Sequence, residues 1–157
     1  MNYQKLLAIF SLTLVFFLPS RTHAQDYSSA LGLRAGTAAG ITFKQFISYQ
    51  GAIEFQAVYR RAGFRGVLLL AHHMSLGKKT NTYIFIGGGG HYGYNSVINS
   101  DNRAYRVAGV DGILGIEYEF PYAPLSVSLD WKPYYDLVGP KLFSGNNMGI
   151  TARLLLN

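Results

Sequence analysis

From residue 29 to residue 156, apolar and polar positions alternate in eight short runs parted by turn residues. The runs are 29–36, 40–48, 52–60, 65–76, 82–94, 104–120, 125–137 and 147–156. Most have a period of two, which puts successive side chains on opposite faces of a strand. Glycine inside several of them argues against helix. The least regular run is the fourth, where Val67 to Ala71 is continuously apolar. Run lengths bracket the ~9–11 residues that a tilted membrane strand needs. The pattern predicts an all-β, eight-stranded antiparallel up-and-down transmembrane β-barrel.

The connections differ in kind. Those at 49–51, 77–81 and 121–124 are tight, and those at 95–103 and 138–146 are longer and polar. The 61–64 connection is intermediate, and 37–39 is short. Short turns at one end and longer loops at the other are the asymmetry of outer-membrane barrels. The longer loops would be the presented surface.

Sorting each run by parity separates two faces. Leu31 and Leu33 oppose Arg34; Ile41, Phe43 and Ile47 oppose Thr42 and Lys44; Phe55, Ala57 and Tyr59 oppose Glu54 and Gln56. In the sixth run Val110, Leu114, Ile116 and Tyr118 oppose Asp111, Glu117 and Glu119. In the last two, Leu129 and Trp131 oppose Asp130 and Lys132, and Ile150 and Leu154 oppose Arg153. Arg34, Lys44, Lys132 and Arg153 thus match Glu54, Asp111, Glu117 and Asp130, four charges of each sign. A membrane barrel turns these inward as a self-neutralising network, because an unpaired buried charge costs several kcal/mol. A soluble lipocalin-like barrel that binds a ligand in the periplasm would turn them outward.

The N-terminus points to export, which both arrangements share. Lys5 precedes the apolar stretch 6–18, and a short polar segment ends at Ala24. This reads as a secretory signal peptide over 1–24, leaving a barrel domain over 25–157. Thirteen apolar residues fall short of the ~20 of a membrane helix. The chain has no cysteine, so neither disulfides nor a lipidated cysteine is expected. Its net charge is +6, or +4 without Lys5 and Arg21. Export and scattered basic residues exclude nucleic acid as the expected partner; outer-membrane lipid and lipopolysaccharide fit better. Charged residues make up only 14%, low for a soluble surface. Aromatic residues near run ends, among them Tyr59, Tyr83, Tyr118, Phe120 and Trp131, suit an interfacial belt.

Candidate chemistry is thin. His73 and Ser75 lie two apart on a strand and so share a face. This His-x-Ser pair resembles the core of outer-membrane lipid A deacylases, in which His73 would be the base and Ser75 the nucleophile. No Asp or Glu follows between residues 76 and 100 to orient the base. A lipid A-modifying hydrolase therefore stays an alternative, and no catalysis is expected. His72, His73 and His91 make a poor metal set, since adjacent strand residues point apart. No metal or other cofactor is expected. The run Gly87–Gly90 lacks the Lys-Ser/Thr ending of a phosphate loop; it would make room for a lumenal side chain such as Arg34 or Tyr92.

Segments such as Gly40-Ile41-Thr42-Phe43-Lys44-Gln45-Phe46, Gly87-Gly88-Gly89-Gly90-His91-Tyr92-Gly93 and Gly109-Val110-Asp111-Gly112-Ile113-Leu114-Gly115-Ile116-Glu117-Tyr118 carry a resemblance. The chain resembles the small eight-stranded outer-membrane barrels of Gram-negative bacteria, the OmpA-barrel and OmpX-like class, in a short uncharacterised branch. The resemblance implies residence in the cell outer membrane, a side-chain-filled lumen and a structural or surface-interaction role. It also implies the barrel insertion machinery as a partner during biogenesis. Members usually end in an aromatic residue read by that machinery, whereas this sequence closes Leu154-Leu155-Leu156-Asn157.

Overall fold

The structure is a computed structural model that describes residues 27–60, 63–77, 80–95, 105–139 and 143–156. The segment read as a signal peptide lies outside them, as do 96–103 and 140–142 of the two longer connections.

The strands are β1 (Ser29–Gly36), β2 (Ala39–Phe46), β3 (Gly51–Arg60), β4 (Gly63–Ser75), β5 (Thr82–Asn95), β6 (Tyr105–Glu119), β7 (Leu125–Trp131), β8 (Tyr134–Val138), β9 (Phe143–Ser144) and β10 (Met148–Leu156). They make eight staves, not ten. β7 and β8 both pair with β6 and are one stave broken at Lys132-Pro133. This is the one interruption of a run expected to be continuous. Proline offers no N–H to the ladder, yet its carbonyl still accepts the Gly112 N–H at 2.9 Å. β9 extends the last stave by pairing with β8. Each stave is antiparallel to the next in chain order, and β10 returns to pair with β1 from Ser29↔Leu156 to Gly36↔Gly149. The sheet is a closed up-and-down barrel with no free edge.

The register sets the barrel's shape. One circuit of paired residues runs Leu125, Leu154, Leu31, Phe43, Phe55, Leu68, Gly90, Val110 and Tyr135. It returns to its starting stave ten residues along, from Leu125 to Tyr135. Ten residues at ~3.3 Å against eight strands at ~4.8 Å give a strand tilt of about 40° and a backbone radius of about 8 Å. Inward side chains from opposite walls therefore meet across the axis.

Alternation within each strand is kept. In β3, Ala52, Glu54, Gln56 and Val58 are buried while Phe55 and Tyr59 are exposed. Two apolar clusters share the interior with the charges: Tyr27, Ala30, Phe46 and Ala52 at the end holding the termini, and Val58, Val67, Leu69, Phe85 and Ile113 along β3 to β6.

Glycine placement differs from the expectation. Arg34 lies against Gly149, where an added Cβ would fall 2.4 Å from its guanidinium carbon. Tyr92 faces outward and is exposed. Gly87 and Gly89 face inward, and a Cβ on either would meet the β4 backbone at 2.1 and 1.9 Å. They let β5 press against β4. Gly88 and Gly90 face the outer wall.

Candidate functional site: the charged interior

The interior collects every acid group among the described residues. Of eight Asp and Glu residues, six are buried in the barrel: Glu54, Asp111, Glu117, Glu119, Asp130 and Asp136. The other two, Asp26 and Asp101, lie outside the described residues. Arg34, Lys44, Arg65, Lys132 and Arg153 are buried with them. All eight residues of the lumenal set read from parity are in this group. Alternation places them there: each sits opposite an outward apolar neighbour on its own strand.

The contacts cross the lumen. Lys44 on β2 donates to Glu117 on β6 at 2.5 Å, and Ser126 donates to the other carboxylate oxygen at 2.7 Å. Arg153 on β10 donates through Nη2 to Glu54 at 2.8 Å and through Nη1 to Ser128 at 2.7 Å; Nη1 is also 3.5 Å from Glu117. Gln56 links the groups, donating to Glu54 at 3.0 Å and accepting from Lys132 at 2.6 Å. Arg34 pairs with Asp130. Charges taken this far from water hold only with partners in place, and these pairs cross-brace the staves.

A second cluster lies towards β8. His91 sits between two carboxylates, with Nδ1 2.7 Å from Asp111 and Nε2 2.8 Å from Asp136. Carboxylates only accept, so both bonds form together when the ring carries two N–H groups or when one carboxyl keeps its proton. Arg65 donates to Asp136 at 3.3 Å, and its guanidinium stacks over Tyr134 at 4.5 Å. Arg65, His91 and Asp136 were not in the parity-derived set. Asp136 has the parity of Asp130 and Lys132 within the 125–137 run, so the signal for its inward face is present in the sequence. On β4 both faces are apolar, and on β5 the inward neighbours of His91 are glycines, so neither strand offers contrast around Arg65 or His91.

The histidine–serine pair is not drawn together. His73 is buried against Phe85, with Nε2 3.7 Å from Glu117 and 3.4 Å from the Lys44 ammonium. Ser75 is exposed at the strand end, and its hydroxyl donates to the Gly77 carbonyl at 2.9 Å. His72 is on the outer wall. Among the described residues no His, Cys, Asp and Glu group is placed to hold a metal.

The outer wall is the inverse of the interior. Leu31, Leu33, Ile41, Leu68, Leu70, Ile86, Leu114, Leu129, Ile150 and Leu154 all lie exposed, Leu33 at 70%. Tyr59, Phe64 and Tyr94 are register neighbours at one end of this wall, and Tyr118, Phe120 and Tyr122 stand at the other. Comparison with protein-family models, with curated proteins and with solved structures finds no match to this chain.

Proposed function

We propose that the chain is a small outer-membrane β-barrel that spans the bilayer, with a lumen filled by paired charges and a structural or surface-interaction role. One observation carries the reading: the closed barrel turns its charges inward and its apolar side chains outward. A soluble monomer rarely exposes more than a few hundred Å² of contiguous apolar surface, whereas here leucine, isoleucine and valine side chains ring the wall. A soluble lipocalin-like barrel would need the two faces reversed.

The dimensions support the same reading. Along β6, Arg106 and Tyr118 are twelve residues apart, which at a 40° tilt spans about 30 Å. That is the hydrocarbon thickness of a bilayer. Aromatic residues mark both ends of the band, as at membrane interfaces. No described helix is long and apolar enough to cross a membrane; strands that close on themselves meet the same backbone requirement. Lipid and lipopolysaccharide are the partners the wall would meet, and opposed walls that touch across the lumen leave no room for bulk transport.

The test is insertion. The protein refolded into phosphatidylcholine vesicles should stay with them through a carbonate wash and migrate in a heat-modifiable compact band. Leu129→Arg, a charge at mid-wall, should lower stability by about 2–4 kcal/mol if the wall meets lipid. A change within about 0.5 kcal/mol, as on a water-facing surface, or recovery of the protein without detergent, rejects the proposal.

A further inference from the structure

We infer that the outer wall over β4, β5 and β6 carries a groove for one acyl chain of a phosphate-bearing membrane lipid, with the phosphate at Arg106. The inference rests on the membrane reading above.

A groove of about 1000 Å³ lies on the outside of the barrel here. Its floor is Gly66, Gly88, Gly90 and Ala108, all on the outward face of adjacent strands. These glycines are not explained by the barrel itself. Inward Gly87 and Gly89 are needed because a Cβ would strike backbone near 2 Å. A Cβ on Gly66 would meet nothing closer than 3.8 Å, and one on Gly88 or Gly90 would approach a single carbonyl oxygen, at 3.2 and 3.1 Å. Glycine within a strand weakens it and often marks where another molecule comes close. The sides are raised by Phe55, Leu68 and Tyr92.

Length and charge name the occupant. From Arg106 to Gly112, the register partner of Gly88, is six residues of β6, about 15 Å along the bilayer normal. That is one leaflet's share of a ~30 Å hydrocarbon core. Arg106 stands exposed at the open end of the groove, and among the described strand residues it is the charged side chain of the outward face. A guanidinium at the interface with an apolar channel running one leaflet deep fits a phosphate headgroup with its chain below. A second barrel would present a convex wall, which fills such a groove poorly.

The experiment uses the full barrel refolded into vesicles of equal phosphatidylglycerol and phosphatidylcholine, extracted in mild detergent and weighed by native mass spectrometry. The wild type should keep one phosphatidylglycerol per chain. Gly66→Leu and, separately, Ala108→Leu should reduce retention about tenfold, as when two methylenes lose their burial. Ala152→Leu, on the wall of β10, should leave it unchanged. Arg106→Gln should erase a headgroup preference of up to about fivefold, the worth of an exposed ion pair. Retention unchanged in both filled variants, retention without headgroup preference, or a mass of two chains with no lipid overturns the groove. A protein that never enters the vesicles fails the membrane reading; one that inserts and keeps no lipid fails the groove alone.

Discussion

Glu117 is the most connected carboxylate in the barrel, and its removal offers the sharpest measure of what the interior contributes. It accepts from Lys44 at 2.5 Å and Ser126 at 2.7 Å, with Arg153 at 3.5 Å, and both members of the Lys44 pair are almost fully buried. At an effective dielectric of ~20, the Lys44 contact alone is worth about 6–7 kcal/mol of Coulomb energy. Desolvation of two ions offsets much of that. The loss on deleting one partner is nevertheless large, because Lys44 then remains buried beside Arg153 with its nearest anion gone. Glu117→Ala should therefore cost about 3–5 kcal/mol. Equilibrium urea unfolding in vesicles reads this directly, with the chain's one tryptophan, Trp131, as the fluorescence reporter on the outer wall. Adding Lys44→Met should restore part of the loss, with a coupling energy of about 1–3 kcal/mol in the double-mutant cycle. If Glu117→Ala costs under about 1 kcal/mol, as an exposed pair would, or if the second substitution only adds to the first, the charges are not bracing the staves and the account of the lumen is wrong.

Two further outcomes follow from the packing. Gly89→Ala should abolish or strongly reduce the compact gel band, since its Cβ falls 1.9 Å from the Leu68 carbonyl oxygen, whereas Gly88→Ala, at 3.2 Å from one carbonyl, should refold; equal yields of the two would reject the close approach of β5 to β4. His91→Ala leaves Asp111 and Asp136 facing one another without the ring that bridges them, so it should destabilise the barrel by about 2–4 kcal/mol, and adding Asp111→Asn should recover part of this in the same urea assay.

The architecture was legible in the sequence because a barrel wall is an alternating code, and where the code has contrast it reads cleanly. Thr42, Glu54 and Gln56 each stand between two apolar or aromatic neighbours, and the structure buries all three. Where both faces carry similar residues the code goes silent. Arg65 precedes a stretch in which Val67 and Leu69 face in while Leu68 and Leu70 face out, and nothing in that run says which side a charge at its start will take. His91 lies among glycines, whose two faces are equally blank. Asp136 is the opposite case: it shares the parity of Asp130 and Lys132 in the 125–137 run, and the ladder runs on through the Pro133 carbonyl, so that parity holds beyond the proline.

Pairing was beyond reach for a deeper reason. Which acid meets which base depends on the circuit of the register around the barrel, and a slip of one pairing anywhere would reassign the contacts across the lumen. Lys44 and Glu54 are direct register partners on neighbouring strands, the pair that local reasoning would join. Instead Lys44 reaches across to Glu117, and Glu54 is taken by Arg153 from β10. With a ten-residue offset over eight strands, long side chains from opposite walls meet across the axis. The interior charges consequently report on closure itself: each cross-lumen bond can form only once the ring has come round, which is why disrupting one should weaken all eight staves rather than one hairpin.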